Sequence, residues 1–164
     1  MKVRIDELTR KDLLSDVEKK VIRRSANLKL PQYLGITDDY IIYMRVESST
    51  GQGSYIVKIK LEEYPDIANE ADMTTKEKVR IALAGNIGIY CSCPAFRYYG
   101  YEYITTQVGV NSGSVQNIYP KIRNPQLVGI MCKHCYPAFK RFGSYWNRIA
   151  KDIDTHNFIR GDIS

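Results

Sequence analysis

Apolar residues at Leu8, Leu13, Leu14, Val17 and Val21 recur near the helical period, with Asp and Lys between them. The spacing predicts a helical segment over roughly the first 30 residues. Pro31 and Gly35 break that pattern. Two β-rich runs follow, Tyr40-Ile41-Ile42-Tyr43-Met44-Arg45-Val46 and Tyr55-Ile56-Val57-Lys58-Ile59-Lys60-Leu61. The loop Ser48-Ser49-Thr50-Gly51-Gln52-Gly53 between them makes the pair a hairpin. Residues 64–76 contain Pro65 and few large apolar groups, and read as an irregular crossover. Val79 to Leu83, a turn at Gly85-Asn86 and Ile87 to Cys91 predict a second hairpin.

Beyond Pro94 the pattern thins. Phe96 to Tyr103 is dense in tyrosine and reads as helical, residues 109–118 as an exposed loop, and Tyr119 to Pro125 as an extended piece bracketed by prolines. From about His134 the helical period returns at Phe139, Phe142, Trp146, Ile149 and Ile153, with Pro137 where a first turn tolerates it. The expected fold class is α+β: an N-terminal helical segment, a small antiparallel sheet of two hairpins, a zinc module and a C-terminal helix. The expected division is 1–35 for the helical segment and 36–164 for the α+β domain.

Composition changes this picture in three ways. Tyrosine is unusually common, 13 residues against 4 Phe and 1 Trp, which suits interfaces because each ring is apolar at one end and polar at the other. The formal net charge is +6, compatible with nucleic acid or an acidic partner and also with ordinary solubility. No apolar run approaches the roughly 20 residues that cross a bilayer, and Met1 to Arg10 lacks the apolar centre of a signal peptide. The expected location is therefore the cytoplasm, where thiols stay reduced. Four cysteines in that setting point to metal before disulfides.

Those cysteines come in two tight groups. Cys91-Ser92-Cys93 ends a predicted strand, where side chains two apart share a face. Cys132-Lys133-His134-Cys135 follows the stretch 94–131 and opens the last helix. Cys91, Cys93, Cys132 and His134 make a closed tetrahedral zinc set, with zinc–sulfur bonds near ~2.3 Å. A filled shell leaves no position for an activated water, so the expected single Zn2+ is structural. Cys135 is an alternative fourth ligand, since Cys91, Cys93, Cys132 and Cys135 form an all-cysteine set. Spacing alone leaves both sets open. C-x-x-C also marks thioredoxin-like sites, but the βαβ surroundings of that fold are not predicted here.

The pattern C-x-C, a variable stretch, then C-x-H resembles the SWIM zinc finger, as does its setting of a hairpin before the first pair and an apolar helix after the second. The resembling core covers about 87–142. It implies His134 as the ligand and Cys135 as a packing residue. The strings Cys91-Ser92-Cys93-Pro94-Ala95-Phe96-Arg97-Tyr98, Pro120-Lys121-Ile122-Arg123-Asn124-Pro125 and Cys132-Lys133-His134 are similar to small SWIM-type proteins of tailed bacteriophages. The hairpin carrying Ser48, Ser49 and Tyr55 shares that likeness, which spans roughly 40–142. It implies a host cytoplasm first and a virion afterwards.

The remaining features are weaker. The run Phe96 to Tyr103 suits packing, then a protein interface, then base stacking. Arg97, Tyr98, Tyr99, Lys121, Arg123, Lys133, Lys140 and Arg141 are the candidate contacts to a partner or to nucleic-acid phosphates, against the plainer reading of a solvated basic face. Lys19, Lys20, Arg23 and Arg24 read as a solvated helix face. His156 has no ligand cluster in register. No Ser-His-Asp pattern, Gly-rich phosphate loop or H-E-x-x-H helix is present. The expectation is a non-enzymatic adaptor without a small-molecule substrate or membrane. Its expected partners are other protein subunits of an assembly, with DNA or RNA binding as the alternative and a thiol redox role as a weaker one.

Overall fold

The structure, a computed structural model, describes residues 4–5, 16–98, 105 and 131–161. Its centre is a four-stranded antiparallel sheet with strands in chain order: β1 Gln32–Ile36, β2 Ile41–Glu47, β3 Ser54–Leu61 and β4 Ile87–Cys91. The hairpin expected from Tyr40 to Leu61 is β2 and β3, in unbroken register from Ile41 opposite Lys60 to Glu47 opposite Ser54. The loop between them closes through Ser48 N–H to Gly53 carbonyl at 3.0 Å, with positive φ at Gly51 and Gly53.

The alternation of side chains gives the sheet one core face. Ile36, Ile42, Ile59 and Ile89 share one row across it, and Tyr33, Met44, Val57 and Cys91 the next. All eight are buried. The second row carries the first expected metal ligand, so the chemistry starts at the end of the core.

The second predicted hairpin does not form. Val79 to Leu83 lies in a helix, α3, Thr75–Ala84, which follows a short helix, α2, Tyr64–Ile67. A capping box starts α3: Thr74 accepts from Glu77 N–H at 3.2 Å, and Glu77 accepts from Thr74 N–H at 2.9 Å. Val79, Ala82 and Leu83 then fall on one buried stripe at helical spacing. A five-residue apolar run does not distinguish strand from helix by period alone, and the Thr74-x-x-Glu77 signal before it decides the matter. β4 pairs with β3 instead, from Val57 opposite Cys91 to Leu61 opposite Ile87. The sheet's other hairpin is β1 with β2, formed from residues whose Pro and Gly read as a break.

Helices cover the core face. Within the N-terminal segment, the described helix is α1, Asp16–Ser25, with Val21 and Ile22 buried. A short helix, α4, Pro94–Tyr98, follows β4. The expected C-terminal helix is divided into α5, Cys135–Arg141, a 3-10 turn, Phe142–Tyr145, and α6, Trp146–Asp154. Gly143 sits at the break, where a Cβ would meet the Trp146 ring at 3.2 Å. The break turns α6 against α3 and β1. Tyr33 donates to Asp152 at 2.7 Å, and Arg148 lies over the Tyr33 ring. Burial and that carboxylate push the Tyr33 hydroxyl far above its ordinary pKa, so it stays a donor.

Tyrosine is used inward among the described residues. Tyr33, Tyr43 and Tyr64 are buried, while Tyr40, Tyr55, Tyr90 and Tyr145 are partly buried against the core. Stacked or tilted pairs link Tyr33 to Tyr145 and Tyr40 to Tyr64. Their ring area serves packing, with hydroxyls reaching polar partners at the edge.

The chain after α6 runs beside β1, with Ile159 N–H bonded to the Ile36 carbonyl at 2.9 Å and Tyr43 donating to the Gly161 carbonyl at 3.1 Å. Gly35 makes this approach possible. It sits at a register shift with φ of 150°, and a Cβ there would lie 2.6 Å from Ile159 Cγ2. Gly35→Ala therefore combines backbone strain with a clash and is expected to cost about 1–3 kcal/mol. Gly51→Ala, with nothing within 4 Å, incurs the backbone term alone. Urea unfolding of both variants checks this: equal midpoints would show that the tail does not seat on β1.

Candidate metal centre

β4 delivers Cys91 on the core face, and the chain bends directly after it. The β3–β4 ladder continues for one more step in altered form. Ser92 N–H bonds the Ile56 carbonyl at 3.0 Å, and Ser92 Oγ accepts from Ile56 N–H at 2.9 Å. The hydroxyl stands where a strand would offer a carbonyl, so the backbone turns without stranding Ile56 N–H. This turn brings Cys93 inward beside Cys91. Cys93 Sγ in turn accepts a hydrogen bond from Phe96 N–H at 3.3 Å, as α4 begins.

The second pair arrives from the other side. Cys132 and His134 precede α5, and Cys135 N–H bonds the Cys132 carbonyl at 3.2 Å, closing a tight turn. Cys91, Cys93, Cys132 and His134 are all buried, and their ligand atoms lie within 4.8 Å of one another. Cys132 Sγ is 3.8 Å from His134 Nδ1. Tetrahedral bonds near ~2.3 Å imply ligand–ligand edges of about 3.8 Å, so the spacing suits one zinc ion.

The β2–β3 hairpin closes over this turn. The Tyr55 ring lies 4.7 Å from the His134 ring, and Lys133 Nζ donates to Ser49 Oγ at 2.8 Å. Under that cover His134 Nε2 is buried with no hydrogen-bond partner. A buried imidazole whose nitrogens meet only sulfur or nothing is costly, and an ion bound to the ring offsets that cost.

The thiols show the same need. All four cysteines are free and buried. Burial, then hydrogen bonds with Cys132, Cys135 and Cys93, pushes Cys91 well above the ordinary thiol range. Hydrogen bonding with Cys132 is the largest cause raising Cys93. Burial acts to raise Cys135, but hydrogen bonds with Cys132 and Cys91 outweigh it and lower that thiol below its ordinary range. Such a group cannot ionise together without a cation among its sulfurs, and zinc supplies that charge.

Cys135 therefore belongs to the cluster, with its Sγ 3.6 Å from Cys132 Sγ. Lys133 is half-buried and Lys140 and Arg141 are exposed, all close in sequence to the second ligand pair. Arg97 and Tyr98 lie on α4, but their side chains, together with Tyr99, Lys121 and Arg123, fall outside the described residues. His156 is exposed and meets only the edge of Phe158, away from the ligands. Sequence reasoning missed Ser92, whose role depends on strand register, and the cover by Tyr55, which no ligand motif contains. Among the described residues, no helix is long and apolar enough to cross a membrane.

One zinc per chain is expected by elemental mass spectrometry. Cys93→Ser and Cys132→Ser should lose most of it, and chelation should lower the melting temperature of the parent protein. A metal-free parent with unchanged stability would contradict the site. Ser92→Ala should keep the zinc but cost about 1 kcal/mol in denaturant unfolding, the worth of one hydrogen bond.

Comparison with known families agrees with this geometry. Residues 66–101 match the family model of the SWIM zinc finger. No curated protein and no solved structure matches the chain. The matched span holds Cys91 and Cys93, and the fold brings Cys132 and His134 to them from beyond it. Over that span the chain is similar to the SWIM zinc finger, and the fold completes the C-x-C pair with the C-x-H pair the pattern calls for.

Proposed function

We propose that the zinc is structural and that the protein is a non-enzymatic adaptor that holds neighbouring protein subunits in an assembly. One observation carries this reading: four buried donors of a standard closed set converge on one point. A full protein shell leaves no place for a bound water or substrate. The ion then ties the end of the sheet to the start of α5, and the work of the molecule falls to its surfaces.

The likeness to SWIM-type proteins of tailed bacteriophages supports a finer version, a component of the head, neck or tail of a virion. It would be made in a host cytoplasm, where thiols remain available to zinc. Under that version the protein sediments with assembled particles after nuclease and high-salt washing. Recovery only from the soluble fraction would remove the virion role.

A second reading is nucleic-acid binding, favoured by the packing of α1 on α5. Lys19, Lys20, Arg23 and Arg24 on the first helix and Lys140 and Arg141 on the second are exposed. Two adjoining helices thus present basic groups of the kind that contact phosphates. Fluorescence anisotropy with short DNA and RNA separates the readings. The adaptor predicts no binding at low salt. The nucleic-acid reading predicts binding that weakens steeply as salt rises, and weakens again in a Lys140→Ala, Arg141→Ala double variant. A thiol redox role would instead give a reducible Cys132–Cys135 disulfide and no metal.

A further inference from the structure

The zinc set uses four donors, and a fifth, Cys135, lies against one of them. Cys135 is fully buried, and its Sγ sits 3.6 Å from Cys132 Sγ. The Cys135 N–H to Cys132 carbonyl bond folds the C-x-x-C turn so that both sulfurs reach the same side. His134 Nδ1 is 3.8 Å from that same Cys132 sulfur. Both distances approximate a tetrahedral edge around zinc, about 3.8 Å.

Two complete ligand sets therefore overlap. They share Cys91, Cys93 and Cys132 and differ only in His134 or Cys135. The two candidates are consecutive residues, and each holds a donor atom within 4 Å of Cys132 Sγ. Charge decides between them. Three thiolates and an imidazole leave the buried site with net charge −1, whereas four thiolates leave −2, and buried excess charge is costly. The histidine set is the resting one.

We propose that Cys135 is a reserve zinc ligand, which completes an all-cysteine set when His134 is withdrawn from the ion. In that exchange the zinc–nitrogen bond breaks and a bond from zinc to Cys135 Sγ forms. The Cys135 proton leaves to solvent, and no electrons are transferred. The inference rests on the zinc reading above and adds a fifth participating residue to it. It gives the centre a way to keep its ion through loss of one ligand.

Metal content and the spectrum of the Co2+-substituted protein test this, because thiolate-to-cobalt charge-transfer intensity grows with the number of bound sulfurs. The parent should hold one equivalent with a three-thiolate spectrum. Cys135→Ser should hold one equivalent with that same spectrum. His134→Ala should also retain close to one equivalent, with charge-transfer intensity higher by about a third, the ratio of four bound sulfurs to three. His134→Gln, which better preserves packing under Tyr55, should behave likewise. The double variant His134→Ala, Cys135→Ser should lose most of its metal. Loss of metal from both single His134 variants while Cys135→Ser stays full would overturn the proposal. A four-thiolate spectrum in the parent, unchanged in His134→Ala, would overturn it too, because Cys135 would then be the resting ligand. A parent without metal would overturn the zinc reading itself, a failure visible before any variant is made.

Discussion

The structure depends on one constraint, the convergence of four buried donors from two distant pieces of chain on a single point. Cys91 and Cys93 leave the end of β4, and Cys132 and His134 enter just before α5. Thiols and an imidazole at this spacing in a buried site are poor neighbours without a cation. With zinc among them they tie the end of the sheet to the start of α5. The long interval between the pairs matters little once the tie is made, because loop-closure entropy grows only slowly with length.

The rest of the fold prepares the two halves of that tie. The isoleucine row across all four strands aligns the core, and the adjoining row ends on Cys91. The Ser92 hydroxyl extends the ladder while the backbone turns, which aims Cys93 at its partner sulfur. On the other side, the break at Gly143 lets α6 pack on α3 and β1 while α5 starts at the metal turn. The β2–β3 hairpin acts as a cover: Tyr55 lies on the imidazole and Ser49 accepts from Lys133. Contacts of this kind behind the ligands orient them and exclude water.

Burial also bears on how the protein works. The described tyrosines mostly serve the interior, so the richness in this residue is partly a packing device rather than a display surface. Exposed basic groups lie on α1 and α5, which pack together.

The two cysteine groups were legible from spacing, while the choice of His134 over Cys135 came from the resemblance to the SWIM pattern and not from spacing. The β2–β3 hairpin was legible from its alternation and glycine loop, and the closing helices from the recurrence of Phe139, Phe142 and Ile149. The character of Val79 to Leu83 was present only in the Thr74–Glu77 capping box, because a short apolar run carries no period of its own. The β1 strand was hidden because Gly35 reads as a breaker until Ile159 is seen against it. Sequence by itself determined which residue types bind the ion and that a sheet and helices surround them, since those follow from donor chemistry and local period. Only the tertiary structure decided that Cys135 shares the cluster with His134. Chain neighbours reach a common point only through the turn that precedes α5, and sulfur separations are a property of three dimensions.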